Sequence, residues 1–372
     1  ETDRVRRSIL FDARADILVY GMGESQTVEI ARRLADGETA DHLDHIPGTA
    51  VIRKDPAFLT DSVTIPACEA IADDHEQFNR AFKCFYGEQN PVTARPVVQA
   101  HGDRYAVVYP PPMPLSPAEL DAIYELDFRR GWHPVYDAAG GVQGLETVRH
   151  SLVTHRGCSG ECNFCSLYFH QGRMVQSRSA DSIVGEARRL ARDPAFRGTI
   201  TDMGGPTANL YGADCPRWAK KGFCGNKRCM APQTCPSLDP GYDRSLPLYR
   251  RMREIPGVKH AFIGSGFRHD LFGGSGADAC LEELCRFHVS GQMKVAPEHV
   301  EGHVLDKMGK PGVKSLLAFK RLFNKLTRAA RKKQFLTYYL IAAHPGCTER
   351  DMRRLKSFAS RELGINPEQV QV

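Results

Sequence analysis

The stretch His155–Phe169, "HRGCSGECNFCSLYF", carries three cysteines within eight residues, Cys158, Cys162 and Cys165. Disulfides suit it poorly, because cysteines this close rarely reach bridge geometry without strain and an odd number leaves one thiol over. Metal ligation suits it better. Tetrahedral zinc would want a fourth protein ligand, and no cysteine or histidine follows at zinc-finger spacing, although His170 is near. Thiolates also suit iron–sulfur clusters, and a cubane held by three cysteines keeps one iron without a protein ligand, open to chemistry. Three unligated thiols in a core or loop are the remaining reading.

Downstream of the cysteines the pattern alternates between strand and helix. Apolar runs "HSLVTH" (150–155), "GTITDMGG" (198–205), "KHAFIGSG" (259–266), "GQMKVAPEH" (291–299) and "QFLTYYLIAAHPG" (334–346) are separated by helical stretches. In the first of those, Ile183, Val184, Ala187, Leu190 and Ala191 repeat at helical spacing behind Ser179 as a cap. Thr348 and Asp351 form a capping box before another helix. Strands separated by helices imply a parallel sheet or barrel with right-handed crossovers. With "QVQV" (369–372) as a sixth strand, the expected architecture is α/β, a partial (βα)6 TIM-like barrel cut short inside that strand. Ligands should gather at the C-terminal ends of the strands. The cysteine loop, "GGP", "GSG", "APEH" and "AHPG" all fall on that rim.

Upstream, "ADILVYGMGESQTVEIARRLADG" (15–37) reads as a strand from Ile17 to Tyr20, a Gly turn, and an amphipathic helix with Val28, Ala31 and Leu34 on one side. It looks like the last βα unit of an α/β domain. "GMGES" lacks the Lys-Ser/Thr of a phosphate loop and reads as a tight turn. Strand-like "TAVIRK" and a helix around "HEQFNRAFKCFYGEQ" follow, then a strand, a proline-rich connector, and a helix capped by Ser116 and Glu119 with Pro117 at its first position. The boundary is expected near residue 145, giving an incomplete N-terminal α/β domain over 1–145 and the core over 146–372.

The 372 residues allow about two domains. No run is apolar for long enough to span a bilayer and no signal segment opens the chain, which places it in the cytoplasm with its twelve cysteines reduced or acting as ligands. A net charge of +6, from 50 basic against 44 acidic residues, does not by itself imply nucleic acid. The basic helix "KRLFNKLTRAARKK" (320–333) reads as a solvated face, with RNA contact as the competing reading.

At Cys158, Cys162 and Cys165 the sequence resembles the radical S-adenosylmethionine (SAM) superfamily, whose C-x3-C-x2-C signature binds a [4Fe–4S] cluster. Together with "QSRS", "GGPTANLYG", "KVAPEH" and "KMGKPG", it is similar along almost the whole chain to the YgiQ-like radical SAM proteins. The resemblance implies that the open iron takes the amino nitrogen and carboxylate oxygen of SAM. One electron, from a donor such as flavodoxin or ferredoxin, then splits a C–S bond, giving methionine and a 5′-deoxyadenosyl radical that abstracts hydrogen from a substrate. It also implies an N-terminal domain like cobalamin-binding folds, but the D-x-H-x-x-G motif is absent and cobalamin is not carried over.

Carried over by the resemblance, Gly204 and Gly205 match the glycine-rich second-strand motif whose backbone carbonyls accept from the SAM amino group. Pro206 stands where many members have Glu, so only the backbone role transfers; a plain strand-ending turn is the other reading. Lys294 is placed to pair with the SAM carboxylate or, equally, with Glu298. Ser265 and Glu298 are assigned to ribose hydroxyls with Arg268 nearby, and Phe164 to the adenine or the core. His155, His170, His299 and His344 receive no catalytic role. A second group, Cys215, Cys224, Cys229 and Cys235, fits no zinc-finger spacing and is either a ligand set for zinc or an auxiliary iron–sulfur cluster, close to the rim, or a group of structural thiols. The readings that compete with a radical SAM enzyme of unknown substrate are an RNA-modifying member and a non-enzymatic iron–sulfur electron carrier or redox sensor.

Overall fold

Short runs of apolar residues build five strands before Pro114 in the computed structural model, which describes residues 4–372: β1 (Ile17–Val19), β2 (Thr49–Arg53), β3 (Val63–Ile65), β4 (Val97–His101) and β5 (Arg104–Val108). They form one sheet in the order β1-β2-β5-β4-β3. Only β3 and β4 run parallel. The period of two sorts its core onto both faces: Ala50 and Ala106 pack with Leu10 and Phe11, while Val51 and Val107 pack with Val98 and Tyr109. Here the structure departs from the expected βα unit. Although β1 is followed by the expected helix, Glu24–Ala35, β1 pairs antiparallel with β2, and Val28 and Leu34 of that helix lie exposed while Gln26 is buried.

Contacts divide the chain into two units. One runs up to Pro114 and includes Phe169–Gln171 and Pro216–Asn226; the other comprises Leu115–Tyr168, Gly172–Cys215 and Lys227–Val372. The change of unit thus falls earlier than residue 145. Its reason lies in the helix Pro117–Tyr124, capped by Ser116 and Glu119 as expected. Its last residue, Tyr124, sits under the guanidiniums of Arg156 (5.0 Å) and Arg178 (4.4 Å) in the second unit.

The second unit contains β6 (Ser151–Val153), the antiparallel pair β7 (His155–Arg156) and β8 (Gln176–Ser177), then β9 (Thr199–Ile200), β10 (Asp202–Gly204), β11 (His260–Ala261), β12 (Gln292–Glu298) and β13 (Phe335–Leu340). Pairing runs in chain order and parallel: β6 with β10, β9 with β11, Phe267 with Val295, β12 with β13, and Ile341 with Gln371. "QVQV" therefore contributes one bridge. Among the described residues no pairing joins Gln371 back to β6, so the series of pairings is open.

Helices pack against these strands. The helix Ala180–Ala191 buries Ile183, Val184, Ala187 and Leu190, the residues its spacing singled out. The basic helix, Val313–Ala329, turns Leu316, Phe319 and Phe323 inward. On β12 the residues on the packed side are Met293 and Val295, both fully buried in this core. By alternation Lys294 and Ala296 face the opposite side.

Candidate functional site

The cysteine loop is tied down at both ends. Gly157 has φ of 83°, and a Cβ there would lie 2.5 Å from the Met174 carbonyl oxygen, so only glycine fits before Cys158. Cys158 N–H donates to Gly172 O at 3.0 Å and Asn163 N–H to Met308 O at 2.9 Å. Asn163 also accepts from Arg228 at 2.7 Å, which brings the segment after Lys227 against the loop. A buried ion pair, Arg173 to Glu161 at 2.7 Å, closes it from below.

Cys158, Cys162 and Cys165 are all half-buried and unbridged. A Cβ at Gly160 would lie 3.3 Å from Cys158 Sγ, 3.7 Å from Cys162 Sγ and 3.2 Å from Arg268 Nη1. The missing side chain leaves a space bounded by two thiols and a guanidinium. Burial pushes the Cys158 and Cys165 thiols up, with Thr207 Oγ1, 3.4 Å from Cys158 Sγ, opposing it. Zinc with Zn–S bonds of about 2.3 Å would bring its sulfurs to within about 4 Å of one another. No such trio of thiols occurs among the described residues. A cubane spreads its thiolates over separate irons, and this donor set fits that group.

Around the loop the rims of the strands supply the remaining groups. Gly204 O accepts from Thr154 N–H at 2.8 Å, so its carbonyl is spent within the sheet. A Cβ at Gly204 would lie 2.2 Å from Ser265 Oγ, and one at Gly205 2.5 Å from the His155 ring. His155 is fully buried: Nε2 donates to Thr207 O at 3.0 Å, which leaves Nδ1 to accept from Thr154 Oγ1 at 2.8 Å. Burial pushes its pKa down to about 4, so it is a neutral strut. Ser265 Oγ donates to Asp202, whose other oxygen accepts the Gly264 and Ser265 N–H groups at 2.8 and 3.1 Å.

Glu298 ends β12 with φ of 65°, a strained conformation for a residue with a side chain, next to a register shift in the pairing with β13. Its carboxylate is buried. Oε1 lies 3.5 Å from Lys310 Nζ, Oε2 has no partner, and burial pushes the carboxyl up against the pull of Lys310. Lys310, not Lys294, is its cation, and Lys294 makes no ion pair among the described residues. Lys310 Nζ also stands 5.9 Å over the ring of Phe164, which meets His344 edge-on at 6.3 Å. Arg268 is buried and held by Asp270 through Nε (2.9 Å) and Nη2 (2.6 Å). Although burial works the other way, that guanidinium holds the Asp270 carboxyl below its ordinary value.

The structure thus gathers Cys158, Cys162, Cys165, Phe164, Gly204, Gly205, Ser265 and Glu298 in one unit and leaves His170 in the other. His299 is buried, accepting the Glu301 N–H on Nδ1 with Cys347 Sγ 3.6 Å from Nε2. Sequence reasoning missed Asp202, Thr207, Asp270 and Lys310. Lys310 was within reach, since it stands inside the quoted "KMGKPG".

The second cysteine group, like the first, lacks the close spacing of a single zinc site. Cys224 belongs to one compact unit and Cys215, Cys229 and Cys235 to the other, and no three of the four sulfurs come within 4.8 Å of one another. Protein contacts also hold the segment. Asp214 and Asp239 exchange backbone hydrogen bonds at its neck, and Tyr211, Trp218 and Phe223 are buried.

A family model described as Radical SAM N-terminal matches residues 1–151. Curated relatives, each described as a UPF0313 protein, include one from Fusobacterium nucleatum, 43% identical over 100% of this chain and 65% of its own length. Another, from Clostridium perfringens, is 44% identical over 99% of this chain and 56% of its own. A third, from Methanosarcina mazei, is 42% identical over 100% of this chain and 64% of its own. The chain spans less than two thirds of each relative's length. Among solved structures, the radical S-adenosylmethionine methyltransferase TsrM from Kitasatospora setae, with tryptophan substrate and a SAM analogue bound, superposes with a TM-score of 0.53 at 15% identity, covering 98% of this chain and 52% of that one. The cobalamin-dependent SAM radical enzyme OxsB, with aqua-cobalamin and SAM bound, gives 0.53 at 11%, covering 95% and 37%. These two likenesses show a shared fold. No helix among the described residues is long and apolar enough to cross a membrane.

Proposed function

Because the chain belongs to the UPF0313 family, the YgiQ-like radical SAM proteins, we propose that it forms the catalytic part of an enzyme that cleaves SAM reductively at a [4Fe–4S] cluster held by Cys158, Cys162 and Cys165. The observation that carries this reading is the trio of half-buried, unbridged thiols, Cys158 and Cys162 of them bounding the space at Gly160, at the strand rim where a parallel α/β array collects its ligands. When bound, the cluster supplies an open iron and one electron, and SAM yields methionine and a 5′-deoxyadenosyl radical that takes hydrogen from the substrate.

The chain's own residues position, neutralise and shield. Gly205 is the glycine left to offer a carbonyl to the SAM amino group, since Gly204's is taken by Thr154. Lys294, on the side of β12 opposite Met293 and Val295 without a protein counter-charge, pairs with the SAM carboxylate. Glu298, whose Oε2 is buried without a partner, accepts from a ribose hydroxyl. Ser265 assists through its oxygen lone pairs, its proton being given to Asp202. Phe164, partly exposed with Lys310 over its ring, packs against the adenine. The strands form a half-barrel around this site. The substrate enters from the open side and remains unassigned.

The test is anaerobic reconstitution with iron and sulfide, then incubation with SAM and dithionite. Formation of 5′-deoxyadenosine, absent when the three cysteines are replaced by Ala, supports the proposal. A cluster-loaded protein that leaves SAM intact refutes it.

A further inference from the structure

The Arg268 guanidinium is a buried cation aimed at a cluster thiol. Nη1 donates to Cys162 Sγ at 3.6 Å. Its other donors are committed elsewhere: Nε and Nη2 grip Asp270 at 2.9 and 2.6 Å, and Nη2 also reaches Met230 O at 3.4 Å. The backbone is fixed as well. Arg268 N–H donates to Asn209 Oδ1 at 2.9 Å, and its carbonyl accepts from Asn209 Nδ2 at 2.9 Å. Phe267, one residue earlier, is hydrogen-bonded to the Lys294 carbonyl at 2.8 Å, so the rim carrying Arg268 is pinned to β12. Both members of the pair are buried, Arg268 to 4% and Asp270 to 7% side-chain exposure. An ion pair withdrawn from water contributes little net stability, and retaining it at this spot calls for another reason.

We infer that Arg268 is a positioning residue that sets the reduction potential of the cluster through its hydrogen bond to the Cys162 sulfur, with Asp270 limiting the effect by cancelling the guanidinium charge. The inference rests on the proposed [4Fe–4S] ligation. Adding one electron to an oxidised cluster makes it one unit more negative, and an N–H aimed at a ligand sulfur stabilises that added charge, as hydrogen bonds to cluster sulfurs do in general. Burial of the guanidinium strengthens the effect, because its donors are withdrawn from water and the local dielectric around them is low. Asp270 acts in the opposite sense. Its carboxylate leaves the guanidinium pair neutral, so that the cluster meets an oriented dipole instead of a whole positive charge, and it fixes the fork so that Nη1 has one direction to point.

This arrangement makes two predictions of opposite sign. Replacing Arg268 by Gln removes the cation and, the side chain being shorter, draws the donor back from the sulfur, and should disfavour reduction. Replacing Asp270 by Asn leaves the cation unneutralised beside the sulfur and should favour it. A residue that merely packs would not move the two in opposite directions.

The measurement is a mediated potentiometric titration of the reconstituted full chain, the reduced cluster being followed by EPR and the iron content determined for each sample. At the wild-type midpoint the ratio of reduced to oxidised cluster should fall about tenfold in Arg268→Gln, a shift of about 59 mV for one electron. It should rise in Asp270→Asn. Arg268→Lys, which keeps the charge without the fork, should fall between wild type and Arg268→Gln, and it serves as the second variant if the Gln protein takes up no iron. Iron-loaded variants with the wild-type midpoint overturn the inference and leave the radical SAM reading standing. A folded wild-type protein that takes up no cluster overturns both.

Discussion

Gly205→Ala is expected to damage the fold through His155 before it touches any ligand. The added Cβ would lie 2.5, 2.7 and 2.8 Å from Cε1, Nε2 and Nδ1 of that ring, well inside contact distance. The ring has nowhere to go, being fully buried and bonded at both nitrogens, to Thr154 at 2.8 Å and Thr207 at 3.0 Å. Overpacking costs about 1–3 kcal/mol. Losing one of the two hydrogen bonds adds about 0.5–1.5 kcal/mol. The sum is about 1.5–4.5 kcal/mol, and it is transmitted to the candidate site because Thr207 also contacts Cys158 Sγ. Urea denaturation should show it as a lower midpoint at unchanged slope. In a His155→Ala background the same glycine substitution should cost at least about 1 kcal/mol less, because the ring it strikes is gone. An unchanged midpoint for Gly205→Ala, or an identical cost in both backgrounds, would refute the packing argument.

Three further outcomes follow from the charges. His155, His269 and His288 are each pushed down to about 4 by burial, while their unfolded forms titrate near 6.5. The unfolded chain therefore binds more protons between those values, and stability should fall as pH drops from about 6.5 to 4, by at most about 3 kcal/mol per histidine; a flat profile across that window would contradict the burial of these rings. Lys310→Met should cost about 3 kcal/mol at pH 8, because it strands the Glu298 carboxylate. The folded-state pKa of Glu298 is raised, so the native state holds a proton that the unfolded chain has released, and the cost should shrink towards pH 5; a cost independent of pH would mean that Glu298 is not the partner that matters. Lys294→Ala should weaken SAM binding by about 1.5–3 kcal/mol while iron content stays at the wild-type level, read by equilibrium binding to reconstituted protein, and unchanged affinity would show that Lys294 points elsewhere.

Local features of the sequence translated directly into structure. Both expected capping boxes, Ser116 with Glu119 and Thr348 with Asp351, are formed in both directions, and the helix Ala180–Ala191 buries the residues its spacing marked. The parallel order of the core strands was legible for the same reason: each βα step is a local pattern, and right-handed crossovers leave few ways to stack successive ones. The N-terminal sheet was not. A strand followed by a helix announces itself, but nothing in "DILVYG" says that β1 will pair antiparallel with β2, some thirty residues on. The same limit applies to the site. Lys294 and Glu298 look adjacent as i and i+4, yet on a strand that spacing spans about 13 Å. The cation that reaches Glu298 is Lys310, which arrives from a helix terminus beyond β12. The Arg268 to Cys162 contact likewise joins two rim loops that share no pattern in sequence.

The central claim is that three cysteines of one loop hold a cluster with an iron open to SAM. EPR of the dithionite-reduced, anaerobically reconstituted chain, recorded with and without SAM, tests it most directly. The account predicts about four irons per chain, a reduced-cluster signal that changes when SAM is added, and loss of that signal when Cys158, Cys162 and Cys165 are replaced by Ala. A folded protein that takes up no iron, a signal indifferent to SAM, or a SAM-sensitive signal that survives loss of all three cysteines would contradict it.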